Sequence, residues 1–235
     1  MSVSAPPRSG ASSLFTSPVL RKVSTGLTGL FLIIYLTQHL LANLRIFSSD
    51  PQAVSKYGHT LEGFGLLLRG IEIGLAALII YHAVMGISIW LKTRKARPVT
   101  YKRYQTKGAP SKQTIASRTM FWGGLLMLVF LFIHVAYFRF GPGIAEGYST
   151  MIHGEPARHY ERLVTERFEQ LGYVVFYCIT MVVVGMHISH GFWSATQSLG
   201  LVNDRNREVL YKVGIGLGIL FTIGFIAIPL GIYFG

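Results

Sequence analysis

Residues 171–193 read LGYVVFYCITMVVVGMHISHGFW, an apolar run without one Asp, Glu, Lys or Arg, carrying His187 and His190 near its end. A bilayer core needs about 20 apolar residues per helix, so this run reads as a membrane-crossing helix. Working outward, four more segments qualify: roughly Ser24 to Phe47, Phe64 to Leu91, Ser117 to Phe138, and Lys212 to Phe234. The first three of these also carry a histidine each, His39, His82 and His134. An ionisable group at membrane depth is costly and marks a functional site by default. The neutral imidazole is the usual axial ligand of haem iron, and four on neighbouring helices suffice for two haems in a bundle core.

Composition agrees with this class. Of 235 residues, 51% are hydrophobic and only 14% charged, and the mean hydropathy is positive, which suits a single polytopic membrane domain. The net charge of +12 does not imply nucleic acid, because the charges cluster between spans. One cysteine, Cys178, lies in an apolar run and provides neither a disulfide framework nor a thiolate metal site.

The loop between the second and third spans carries Lys92, Arg94, Lys95, Arg97, Lys102, Arg103, Lys107, Lys112 and Arg118 with no acidic residue. By the positive-inside rule it is cytoplasmic. Arg8, Arg21 and Lys22, and Arg205, Arg207 and Lys212, then fall on the same side. Arg158, Arg162 and Arg167 are offset by Glu155, Glu161, Glu166 and Glu169, so that connection is external. The expected topology places the N-terminus inside and the C-terminus outside a bacterial cytoplasmic membrane, in contact with its lipids. Residues 1–22, rich in Ser, Pro and Gly, read as a flexible cytoplasmic tail, and residues 23–235 as the membrane domain. The first apolar run is of full span length without a small-residue cleavage site, unlike a signal peptide. The long connection from Arg139 to Phe168 reads as an external cap, with His153 and His159 as surface residues.

Topology assigns depths. At 1.5 Å per helical residue, His39 lies about 22 Å beyond Ser24 and His134 about 25 Å beyond Ser117, both from the inner side. His82 and His187 lie only about 14 and 9 Å from the inner ends of their helices, counted from Leu91 and Trp193. The expectation is two layers: His39 with His134 toward the outside, His82 with His187 toward the inside. Both inner histidines are followed four residues later by glycine, Gly86 and Gly191. Helical side chains lean toward the N-terminus, so glycine there leaves the surface beside the ligand open to a macrocycle. Helix packing is the plainer role of each glycine alone. Asn43 and Phe138 stand at the corresponding outer positions. His190, one turn from His187, is followed by Ser194 and is the weaker ligand candidate.

The runs Thr37-Gln38-His39-Leu40, Tyr81-His82-Ala83-Val84-Met85-Gly86, Phe132-Ile133-His134-Val135 and His187-Ile188-Ser189-His190-Gly191-Phe192-Trp193-Ser194 resemble the di-haem cytochrome b membrane subunit of bacterial succinate dehydrogenases and fumarate reductases. The likeness covers all five spans and leaves out the N-terminal tail. It implies an all-α integral membrane fold, five transmembrane helices enclosing two stacked b haems. It also implies axial ligands His82 and His187 for the inner haem and His39 and His134 for the outer. The expected partners are a flavoprotein subunit and an iron-sulfur subunit on the cytoplasmic face. Electrons would pass from succinate through clusters and haem to a quinone, commonly menaquinone, or in reverse for a fumarate reductase.

Arg21, Lys22, Ser24 and Arg118 stand near the cytoplasmic boundary, where they can pair inner-haem propionates or simply snorkel. Glu72 lies within the second span, about 15 Å outward of His82. It is a candidate for proton transfer to or from quinone, or for an ion pair with Arg69 one turn earlier. The chain has no dinucleotide fingerprint and no cluster cysteines, so succinate oxidation belongs to a partner. Two further readings stay open: the cytochrome b subunit of a hydrogenase or formate dehydrogenase, and a haem-free proton-coupled transporter using the histidines as a relay.

Overall fold

The computed structural model of the chain describes residues 17–96 and 114–235. Most of the N-terminal tail, and with it Arg8, lies outside these, as do Arg97, Lys102, Arg103, Lys107 and Lys112 of the basic loop. Among the described residues, five helices are long and apolar enough to cross a membrane: α1 (Pro18–Asn43), α3 (Leu66–Lys95), α4 (Ile115–Phe138), α6 (Leu171–Ser198) and α7 (Arg207–Phe234). Two short helices, α2 (Ala53–Glu62) and α5 (Tyr160–Phe168), and a hairpin of β1 (Ser149–Ile152) and β2 (Glu155–Arg158) lie between them.

Local chemistry sets the ends. The Ser17 hydroxyl accepts from Leu20 N–H with Pro18 opening the helix, a pre-organised start. Thr114 and Ser117 form a reciprocal cap on α4. The helices run past the apolar segments at several ends. The first helix begins at Pro18, inside the segment read as tail; α3 runs to Lys95, α6 to Ser198, and α7 starts at Arg207. Hydropathy marks only the stretch in hydrocarbon, whereas backbone hydrogen bonding continues through polar turns in the interface. Residues 44–47, read as membrane helix, tighten into a 3₁₀ turn.

α6 packs against α1, α4 and α7, while α3 packs on α1 and meets α4. The four helices α1, α3, α4 and α6 therefore close a ring in that order, with α7 outside it against α6 and α1. The α6–α7 seam is tight because Gly185 and Gly218 face each other: a Cβ on Gly185 would lie 2.5 Å from the Gly218 carbonyl oxygen and overlap the Thr222 hydroxyl. Small residues that let backbones approach are the usual basis of helix association in lipid. Phe31, Ile34, Leu41, Ile73, Trp122 and Phe132, among many others, face outward, as a lipid-facing surface requires.

At one end, hereafter the capped end, α2, the hairpin and α5 form a polar cover, as the length of the Arg139–Phe168 connection suggests. The Glu161 carboxylate accepts from Val54 N–H (2.8 Å), Ser55 N–H (2.9 Å) and the Ser55 hydroxyl. Tyr160 donates to Glu62 at 2.8 Å, and Gln52 to Thr150 at 2.7 Å. The hairpin turns at His153-Gly154, both with positive φ, 52° and 85°, the geometry of a two-residue I′ turn. This strand pair was not expected in an all-α chain. It is confined to the cap. The opposite end, where α1 begins and α3 and α6 finish, is the loop end.

Candidate functional site: two histidine pairs

The ring order makes α1 and α4 one diagonal of the bundle and α3 and α6 the other. His39 on α1 meets His134 on α4, ring centres 5.8 Å apart and planes at 78°. His82 on α3 meets His187 on α6, centres 6.1 Å apart and planes at 63°. The four imidazoles thus meet as His39 with His134 toward the capped end and His82 with His187 toward the loop end. His190 makes no ring contact with His82 among the described residues.

These separations have chemical meaning. A metal–imidazole nitrogen bond of about 2.0–2.1 Å on each side, with about 1.1 Å from nitrogen to ring centre, gives centres about 6.3 Å apart when one ion lies between two rings. Both pairs fall close to that value. Among the described residues no group of three or more His, Cys, Asp or Glu side chains is placed to hold a metal ion. A pair of imidazoles leaves the other coordination positions to a macrocycle.

Each pair has its own surroundings. At the loop-end pair, a Cβ built on Gly86 would meet nothing within 4 Å, and one on Gly191 only the Met120 terminal methyl at 3.9 Å. Beside His187 a cavity of about 290 Å³ opens between α4 and α6, lined by Met120, Gly123, Leu126, Val183 and Met186. Gly29 lets the His82 ring lie against α1, where a Cβ would come within 3.2 Å of its Cε1. The capped-end pair sits among aromatics: Tyr35 stacks on His39 at 5.6 Å, Phe130 on His134 at 5.4 Å, with Phe138 and Phe225 alongside. Both settings are apolar, as a large planar ligand requires.

Hydroxyl partners were not legible in the sequence. Thr28 Oγ lies 3.1 Å from His82 Nδ1, and Tyr177 Oη 3.2 Å from His134 Nδ1. A lone Thr or Tyr in an apolar run carries no local signal for such a role; only knowing which helix it faces finds it.

Of the four residues near the loop-end boundary, Arg21 is buried, 4% exposed, and donates through Nη1 to Ser88 Oγ at 3.1 Å. Ser24 donates to the Arg21 carbonyl of its own helix. Lys22 and Arg118 are exposed. Glu72 is not paired with Arg69 as the helical spacing allowed. It takes a two-pronged contact from Arg139, at 2.7 and 3.1 Å, because Arg139 closes the C-terminus of α4 beside α3. Arg139 is held above its usual range, first by that hydrogen bond. Comparison with protein-family models, with curated proteins and with solved structures gives no match.

Proposed function

We propose that the chain is the membrane-anchor cytochrome b of a succinate:quinone oxidoreductase, binding two b haems and linking an iron-sulfur subunit to menaquinone. The observation that carries the reading is the pair of diagonal histidine contacts at two levels, each spaced to hold one ion between two rings. When bound, haem supplies one-electron transfer at each level.

The chain's own residues do the rest. His82 and His187 would hold the inner haem and His39 and His134 the outer, each through an imidazole nitrogen. Gly86 and Gly191 leave the flank of the inner pair open. The apolar linings exclude water. Arg21, buried and turned toward Ser88 on α3, is the strongest of the propionate candidates. The basic loop end faces the cytoplasm by the positive-inside rule and offers cations to the flavoprotein and iron-sulfur partners. Near the outer pair, Glu72 accepts or delivers a proton at a carboxylate oxygen as quinone changes redox state, with Arg139 orienting the carboxylate through two parallel hydrogen bonds.

The test is haem stoichiometry by pyridine haemochrome on the purified complex, followed by anaerobic succinate. Two haems per chain with at least one reduced are expected. Absence of haem overturns the reading; two haems indifferent to succinate move the chain to another dehydrogenase. His82→Ala and His187→Ala should remove the same haem, and His39→Ala and His134→Ala the other, with His190→Ala sparing both.

A further inference from the structure

Each histidine pair is chemically lopsided. In the inner pair, His82 has the Thr28 hydroxyl at Nδ1 with a backbone hydrogen bond to Thr25 beside it, whereas His187 Nδ1 is buried with no hydrogen-bond partner among the described residues. In the outer pair, His134 has the Tyr177 hydroxyl at Nδ1, and no hydrogen bond reaches the His39 ring among the described residues. One imidazole of each pair is supported; the other is not.

The direction of the inner bond follows from the helix. Thr28 Oγ lies 3.0 Å from both the Ser24 and Thr25 carbonyls of its own helix, and only its hydrogen can serve those acceptors. Its lone pairs are what remain for His82, so His82 Nδ1 carries the ring proton and donates it. Nε2 is then the nitrogen with the free lone pair. Tyr177 is 6% exposed and sits among Phe130, Phe138 and Phe168, so its ring is fixed by packing and its oxygen is held at His134.

We propose that Thr28 and Tyr177 are positioning residues: Thr28 fixes the tautomer of His82, Tyr177 accepts the Nδ1 proton that His134 carries when its Nε2 is given to iron, and these two histidines are the more basic ligand of each pair. This rests on the di-haem reading above. An acceptor at Nδ1–H draws the ring proton away and raises electron donation from the opposite nitrogen, which favours the higher oxidation state of a bound iron. Each hydroxyl therefore lowers the potential of its own haem, and each haem has a separate control on a different helix.

The experiment is a redox titration of the b-type bands in the intact complex, with low-temperature EPR of the oxidised haems, for Thr28→Val, Thr28→Ser and Tyr177→Phe. Thr28→Val should raise the potential of the inner haem alone by about tenfold in its oxidised-to-reduced equilibrium, about 59 mV for one electron. Tyr177→Phe should do the same to the outer haem alone, with changed EPR g-values for that haem. Thr28→Ser, which keeps the hydroxyl, should match the parent protein, and all three variants should keep two haems. Two bound haems whose potentials and g-values do not move, or move together in either variant, overturn the proposal while leaving the di-haem reading intact. A parent complex without haem overturns both.

Discussion

Gly86→Leu separates steric accommodation of a ligand from ordinary helix packing. A Cβ at Gly86 meets no other atom within 4 Å, so the first carbon of the new side chain displaces no neighbouring group. Replacing glycine by leucine inside α3 gains about 0.8–1 kcal/mol of helix propensity, so the fold of the ligand-free chain should hold or tighten. At roughly 2–4 °C per kcal/mol for a chain of this size, the apo midpoint in detergent should rise by a few degrees or stay level. The side chain leans back over the preceding turn, toward His82. There it fills the flank beside the ring that faces His187 at 6.1 Å. Haem content should therefore fall from two per chain to one, with the outer haem's spectrum unchanged, and Gly86→Ala should give an intermediate loss. The assay is pyridine haemochrome beside a thermal scan of the same preparation. A Leu variant that is stable and still binds two haems with parental spectra would refute the steric argument.

Gly185→Ala should do the opposite, destabilising the chain by about 1–3 kcal/mol, because its methyl group meets Thr222 and a Gly218 carbonyl oxygen 2.5 Å away; an unchanged thermal midpoint would show that the α6–α7 seam has slack. Glu72→Gln should slow quinone turnover several-fold while haem content stays at two per chain, and equal turnover would leave Glu72 as a purely structural partner of Arg139. Glu161→Gln removes a charged acceptor shared by three donors from α2 and should loosen the cap by about 1–3 kcal/mol, visible as faster amide exchange in residues 53–62. The Glu166 carboxyl is held below the usual range, first by Tyr148 and then by Arg162, and Asp50 likewise, first by the Lys56 side chain and then by the Gln52 N–H. A folded pKa below the unfolded one means the folded cap binds fewer protons. Its contribution is present above the unfolded carboxylate range and lost as pH falls through the folded value. Protease resistance of the hairpin should hold from pH 7 to 5 and decline only below about pH 4; a decline between 7 and 5 would refute control by these two carboxylates.

The five spans and the depth of their histidines were legible because both are one-dimensional. Hydrocarbon thickness sets segment length, and rise per residue sets depth, so the level of His39 or His187 follows from counting. Depth alone also leads to the pairs that meet. The helix ends were less legible, since the polar turns at Pro18–Val23 and Arg207–Tyr211 are helical without being apolar. Glu72 shows the limit more sharply. Helical spacing offered Arg69, but the two-pronged partner is Arg139, 67 positions along the chain, brought there by the way α4 ends beside α3.

Sequence by itself therefore determined a five-span apolar chain with two levels of intramembrane histidine, through hydrophobic length and helical rise. Only the tertiary structure decided that α1 faces α4 and α3 faces α6 across a ring. It likewise decided that Thr28 and Tyr177 back one histidine in each pair, that Gly185 and Gly218 seal α7 onto the bundle, and that a hairpin and two short helices cover one end. The azimuth of one helix relative to another depends on side chains interlocking between segments distant in the chain, and no local period or composition records it.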